Sequence, residues 1–370
     1  KYLYNYQGEK YFVPASNTKI PTTYVAMKYL GDSILGLEVL EYNDRLVLLP
    51  AGDPTFLHPD FKRQPVFEYF KSLAAVDRQV WFASGRWQDE RWGAGWSWND
   101  YASDYMAERS AFPIYGNVIT TAGRAGAINI LPSYFKQRLT HYSTQNGFLN
   151  RVERDQYQNN FRVYANGSTA RQIQTPFVTS DTLGYLLLMD TLKLSKQFVA
   201  PGNAPAVSMG AQPVVRRIYS QRTDSLLKPL MHRSDNFFAE QTLLMASYRL
   251  MGVMNDARLI DSVLKTDFKD LPQRPRWADG SGLSRYNLFT PQDFVSILNK
   301  MRTEFGMDRI KEIFPTGNEG TLTNYYKADS SFLYAKTGTL SGVVALSGFL
   351  YTKKNKLLLF SVLVNNHQAS

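Results

Sequence analysis

Apolar residues recur at helical spacing over Ser16–Leu30, where Ile20, Tyr24 and Met27 share one stripe and Gly31 supplies a stop. Pro21 falls inside this pattern and predicts a kink, because it removes one backbone donor and crowds the carbonyl of Asn17. A second helix is predicted over Thr179–Leu194 from Leu183, Leu186, Leu187 and Asp190, with Ser180-Asp181 as its cap. From about Leu226 the pattern is helical again. Phe237, Glu240, Leu244 and Ser247 set a face that Gly252 ends. Thr290-Pro291 reads as an N-cap followed by proline at the first helical position, ahead of Phe294, Ile297, Leu298 and Met301. The period then shortens. Phe332–Lys336, Val343–Tyr351 and Lys356–Val364 are strand-length runs divided by Gly-containing or lysine-rich turns, which predicts an antiparallel meander. At the other end, residues 1–13 alternate tyrosines with polar groups around Gln7-Gly8-Glu9-Lys10 and predict a hairpin.

The stretch between these blocks has another character. Residues 36–212 are short apolar runs split by Gly, Pro, Trp and Tyr, with loops at Gly52-Asp53-Pro54 and Gly93–Asp100 and a strand pair or surface arm at Arg151–Asn166. The expected architecture is therefore α+β. One domain of residues 1–35 and 213–370 is interrupted by an inserted mixed α/β region over 36–212. At 370 residues and 44% hydrophobic, the chain can bury the cores of two or more domains.

Composition narrows the chemistry. The net charge is +10, but no basic block accompanies a nucleic-acid motif, and Lys353-Lys354-Asn355-Lys356 reads as a hairpin turn. Solvated surface charge is expected, and no nucleic-acid partner. The absence of cysteine excludes disulfides, thiolate metal sites and cysteine nucleophiles. The four histidines are scattered without ligand spacing, so neither a metal nor a cofactor is expected. Lys1-Tyr2-Leu3-Tyr4 is strand-like rather than leader-like, and no apolar run approaches the ~18 residues of a membrane span.

Three strings carry candidate chemistry: Ser16-Asn17-Thr18-Lys19, Ser234-Asp235-Asn236 and Lys336-Thr337-Gly338. A Ser-x-x-Lys arises by chance about once or twice in a chain of this length, whereas Lys-Thr-Gly is expected about 0.1 times or fewer. Singly, each also fits a structural role: Ser16 a helix cap beside a solvated Lys19, Ser234–Asn236 a cap, Lys336–Gly338 a strand end entering a turn. All three in order, each in a suitable context, point to a serine acyl-transferase that needs no histidine and no metal. A serine hydroxyl requires a base, and Lys19, three residues along the same helix face, serves if burial and a nearby cation such as Lys336 keep its amine neutral. Ser16 at a helix start and the backbone N–H of Thr339 offer two donors to an oxyanion. Gly338, without a side chain, leaves room for a substrate backbone against the strand edge. Ser234 offers a hydroxyl for proton relay, Asn236 an amide to steady Lys19 and grip a substrate carbonyl, and Asp235 holds the loop.

The trio resembles that of penicillin-binding proteins and serine β-lactamases. The chain as a whole resembles the D-alanyl-D-alanine carboxypeptidase/endopeptidase family, the type-4 (class C) penicillin-binding proteins. The resemblance also takes in Pro14-Ala15 before Ser16, Gly52-Asp53-Pro54-Thr55, Gly95-Trp96-Ser97-Trp98-Asn99-Asp100, Ala239-Glu240-Gln241, Asp279-Gly280-Ser281-Gly282-Leu283-Ser284-Arg285 and Thr339-Leu340. The 218 positions from Ser16 to Ser234 (234 − 16) suit that family and exceed the class A β-lactamase spacing. Only 15 residues precede Ser16, where the family has a helix and a strand. The resemblance implies a transpeptidase-like domain, action on D-Ala-D-Ala termini or cross-links of peptidoglycan stem peptides, β-lactams as covalent inhibitors, and a periplasmic or otherwise extracytoplasmic location. It implies acylation of Ser16 with Lys19 as base, assistance from Ser234 and Asn236, carboxylate binding by Lys336 and Thr337, and an oxyanion hole from the N–H groups of Ser16 and Thr339. A non-catalytic wall-binding or scaffolding protein on the same fold and a β-lactamase are the alternatives.

Overall fold

The computed structural model describes residues 2–83, 86–124, 127–143, 151–165, 172–194, 198–202 and 212–368. A 3-10 turn over Ala15–Thr18 leads into α1 (Lys19–Tyr29). Next come β1 (Ser33–Glu41), β2 (Arg45–Pro50), α2 (Pro65–Ser72) and β3 (Gln79–Phe82). They are followed by β4 (Val118–Arg124), β5 (Ala127–Leu131), β6 (Leu139–Ser143), β7 (Arg151–Arg154), β8 (Phe161–Ala165), β9 (Ile173–Pro176), α3 (Asp181–Leu192) and β10 (Val214–Arg222). A helical run, α4 (Thr223–His232), α5 (Asn236–Met251), α6 (Asp256–Lys265), α7 (Pro291–Phe305) and α8 (Met307–Ile313), precedes β11 (Leu333–Leu340), β12 (Val343–Tyr351) and β13 (Leu357–Asn365).

Packing divides the chain into two units: residues 1–34, 88–96 and 221–370, and residues 35–87 and 97–220. The divisions fall close to the expected 35/36 boundary and eight residues beyond the expected 212/213 boundary. Gln88–Trp96, expected within the insertion, packs with the first unit. In the second unit, β10-β1-β2-β3 form one sheet and two three-stranded sheets stand beside it. One apolar cluster draws on all three, with Leu48, Phe82, Ile119 and Phe161 buried together with Leu187 of α3. Ser180 caps α3 by accepting from Leu183 N–H, and Lys193, at φ 51°, ends it. The expected Arg151–Asn166 pair is β7 antiparallel to β8, with Asn166 itself outside the described residues.

In the first unit the helices follow from local signals. Thr290 and Asp293 form a reciprocal capping box at the start of α7, behind Pro291 at its first position. α5 is buried on every side from Phe237 to Tyr248, wider than the single face its spacing suggests, so it is the unit's central helix. α1 packs against it and against α7. Fully buried Tyr24 lies 5.0 Å from the Phe268 ring and 5.5 Å from the Phe305 ring. β11, β12 and β13 form the expected antiparallel meander, in register Lys336↔Ser347↔Ser361. β11 does not end at the Lys336–Gly338 string but runs on to Leu340.

Two expectations need correction. Ser16 is not on the α-helix; it lies in the 3-10 turn before it, and Pro21 falls in the first turn of α1, where a missing N–H costs least. Residues 2–11 are turns and bends rather than a hairpin. Their tyrosines face solvent, so no apolar face holds two strands together. The segment is tied down by the Phe12–Phe289 bridge and by Asn365, whose side-chain amide accepts from Val13 N–H at 2.7 Å and donates to Val13 O at 3.0 Å.

Candidate active site

The segment entering α1 is under local constraint. Ala15, fully buried, holds φ at 47°, an unfavourable conformation for a residue with a side chain. Three contacts fix it. Asn17 N–H donates to Pro14 O at 3.2 Å, the Asn17 amide donates to Lys336 O at 2.9 Å, and the Thr18 hydroxyl donates to Ala15 O at 2.8 Å. The turn that carries Ser16 is thereby fastened to β11.

Lys19 is fully buried and has three partners: Asn236 Oδ1 at 2.6 Å, Ser281 O at 2.7 Å and Ser16 Oγ at 3.2 Å from its Nζ. Burial lowers its pKa to about 8, against an upward pull from the charges of Asp279, Glu240 and Asp235. Of the two expected causes, burial and the charge of Lys336, burial is the one that lowers it. Lys336 is itself fully buried, and its amine is pushed well down by burial and then by the charge of Lys19. Its Nζ donates to Thr337 O at 2.9 Å.

The loop Asp279–Arg285 is the element whose role the sequence left unassigned. Its Ser281 carbonyl is one of the Lys19 acceptors, and its Gly280 carbonyl accepts from the Thr22 hydroxyl at 2.7 Å. Buried Asp279 organises it, accepting from Gly282 N–H, Asn287 Nδ2, Ser284 N–H and Trp96 Nε1 at 2.7–3.0 Å. Burial pushes the Asp279 carboxyl up and these four donors pull it back. Ser281 N–H donates to Glu240 of α5 at 2.7 Å. Gly282, at φ 87°, sits so close to the turn that a Cβ would lie 2.0 Å from Ala15 O.

A cleft of about 610 Å³ opens beside this arrangement, lined by Ser16, Ser234, Thr337, Gly338 and Thr339 on one part and by Thr321, Tyr325 and Val344 on another. Lys19, Asn236 and Lys336 are not in its wall but behind it. Ser234 holds φ at 60° just before Asp235, which caps α5 by accepting from Phe238 N–H. Strand alternation aims the backbone of β11. Leu333 O and Ala335 N–H bond outward, to Thr316 Oγ1 and Pro315 O, so Thr337 and Thr339 also point their N–H and C=O away from β12. Gly338 faces the other way from the expected substrate. A Cβ there would lie 2.7 Å from Pro14 O and 3.1 Å from Asn17 N, so the glycine admits the Ser16 turn rather than a ligand backbone.

A turn carrying Ser16, a buried lysine of lowered pKa and an edge strand with outward N–H groups, set in a helical cluster beside an antiparallel sheet, form a site of the serine-hydrolase type. The D-Ala-D-Ala carboxypeptidase 3 (S13) family profile matches residues 1–370, and the chain belongs to that family, the serine-type D-Ala-D-Ala carboxypeptidases. It is 24% identical to D-alanyl-D-alanine carboxypeptidase DacB of Haemophilus influenzae over 98% of this chain and 82% of that one. It is 27% identical to D-alanyl-D-alanine carboxypeptidase of Actinomadura sp. strain R39 over 99% of this chain and 75% of that one. The crystal structure of penicillin binding protein 4 from Haemophilus influenzae shares the fold, with a TM-score of 0.76 at 21% identity over 100% of this chain and 88% of that one. The same protein in complex with a β-lactam gives a TM-score of 0.73 at 18% identity. Among the described residues no helix is long and apolar enough to cross a membrane, and no cluster of three or more His, Asp or Glu side chains is placed to hold a metal ion.

Proposed function

We propose that this protein hydrolyses the D-Ala-D-Ala termini of peptidoglycan stem peptides, or the D-Ala cross-links between them, through an acyl-enzyme on Ser16, outside the cytoplasmic membrane. The observation that carries the reading is the hydrogen-bond set of Lys19. A neutral amine has two N–H donors and one lone pair. Asn236 Oδ1 and Ser281 O, at 2.6 and 2.7 Å, take both donors, and the lone pair is left for the Ser16 hydroxyl at 3.2 Å. Lys19 takes the Ser16 proton as Oγ attacks the penultimate D-Ala carbonyl carbon. The N–H groups of Ser16 and Thr339 receive the oxyanion. The proton passes through Ser234 to the nitrogen of the departing D-Ala, and the C–N bond breaks to leave the ester. Water then cleaves that ester and restores Ser16. Thr337 and Thr339 hold the substrate's terminal carboxylate at the cleft wall. Lys336 sits behind them and supports the carboxylate site by donating from its Nζ to Thr337 O at 2.9 Å. β-Lactams follow the same first step and stall at the ester.

The test is D-Ala release from an N-acylated peptide ending in D-Ala-D-Ala, measured against pH. The base acts in its neutral form, and its pKa is about 8. kcat/KM is therefore expected to rise about tenfold per pH unit from pH 6 and to level off above that value. A profile flat between pH 6 and 8 would remove Lys19 from the role of base.

A further inference from the structure

The cleft wall contains a threonine hydroxyl, that of Thr321, that the roles above leave unused. Thr321 lies in the turn Gly320–Leu322, and its Oγ1 accepts from Thr337 Oγ1 at 2.7 Å. Both residues line the cleft with Ser16. The turn is anchored from below and behind. Leu322 is buried against Leu333 and Ala335 of β11. Gly320, at φ 50°, lies so close to the segment before Ser234 that a Cβ would stand 2.3 Å from His232 O. Thr321 is thus held at a fixed place relative to both β11 and the Ser234 loop.

We propose that Thr321 is a positioning and specificity-determining residue for the carboxylate-bearing end of the substrate; the inference rests on the Ser16 reading above. A threonine hydroxyl has one proton and can accept twice. With Thr337 donating to Thr321, the lone pairs of Thr337 face the cleft and would repel an anion. When a carboxylate arrives, the pair inverts: Thr321 donates to Thr337, and the single Thr337 proton is directed onto the carboxylate oxygen. The chain Thr321 O–H···Thr337 O–H···carboxylate is polarised along its length and ends on a charge, which strengthens both bonds. A neutral C-terminal amide gains far less from it. Thr321 therefore sets the preference for acid over amide without touching the reacting atoms.

The experiment compares wild type, Thr321→Val and Thr321→Ser on two N-acylated peptides, one ending in D-Ala-D-Ala and the other in its C-terminal amide, with benzylpenicillin acylation followed in parallel. Thr321→Val is expected to raise KM for the acid peptide by about five- to tenfold, with kcat within twofold and the amide peptide little changed. Benzylpenicillin, which also carries a carboxylate, is expected to acylate Thr321→Val more slowly by a similar factor. Thr321→Ser, which keeps the hydroxyl, is expected to behave as wild type. Equal losses on acid and amide, or a serine variant no better than valine, would reduce Thr321 to packing and overturn the inference alone. Failure of the wild type to form any penicillin adduct would overturn the Ser16 reading, and this inference with it.

Discussion

Lys19→Met is expected to slow acylation of the protein about a thousandfold or more while leaving it folded. Methionine is close to lysine in length and suits a fully buried site. What it lacks is the lone pair 3.2 Å from Ser16 Oγ. A positioned base is worth about 10²–10⁴ in rate, and here the same amine must also return its proton toward the leaving nitrogen, so the upper part of that range applies. The variant removes the Lys19 bonds to Asn236 Oδ1 and Ser281 O, a loss of about 1–3 kcal/mol for an acceptor that no other donor reaches. Against this, it removes the burial of an amine whose pKa is lowered to about 8. Penicillin acylation kinetics read the first effect, and a urea melt reads the second. The residual rate of the variant should also lose its rise with pH toward 8. A Lys19→Met protein that acylates within tenfold of wild type would place the base elsewhere.

Gly282→Ala is expected to be the most damaging single methyl group in the first unit. Its Cβ would lie 2.0 Å from Ala15 O, 2.5 Å from Ala15 C and 3.0 Å from Thr18 Oγ1. Two of these are backbone atoms, so no rotamer change relieves them, and the residue's own φ of 87° is one that alanine resists. Either the Asp279–Arg285 loop or the turn bearing Ser16 must move. We expect a loss of about 4 kcal/mol or more in stability, or a folded protein whose Ser16 no longer meets Lys19. Gly31→Ala is the control. Its φ is 73° but nothing lies within 4 Å of the added carbon, so about 1–2 kcal/mol is expected, with acylation intact. Equal behaviour of the two variants in a urea melt and in penicillin acylation would contradict the close packing of loop and turn.

The contrast between these two glycines marks what the sequence could and could not reveal. Helix starts and stops were legible because the signals are local: the Thr290-Pro291 cap, the Ser180 cap and the Gly252 stop all lie within one turn of the element they define. The meander was legible from period alone. The N-terminal tyrosines misled because alternation is meaningful only where one face is buried, and theirs is not. In the site, Ser16, Lys19 and Asn236 were legible as side-chain types at telling positions. The third Lys19 partner was not. It is the carbonyl of Ser281, 262 positions away, and a carbonyl is present in every residue. The Gly280-Ser281-Gly282 string was its only trace, and those glycines are spent on close approach to Ala239 O and Ala15 O. The orientation of β11 was legible in principle. Lys336 and Gly338 share a face by strand alternation, so the glycine had to share the burial of the lysine, against the Ser16 turn. Thr321 could not be found from the motifs, because it meets Thr337 only through the fold.

Covalent chemistry at one oxygen, Ser16 Oγ, underlies every step proposed for this site. Intact mass after mixing with benzylpenicillin, for the wild type and for Ser16→Ala, tests it most directly. The wild type is expected to gain one penicillin and the variant none. A wild type that neither gains mass nor consumes penicillin, or a Ser16→Ala protein that is still labelled, would contradict it.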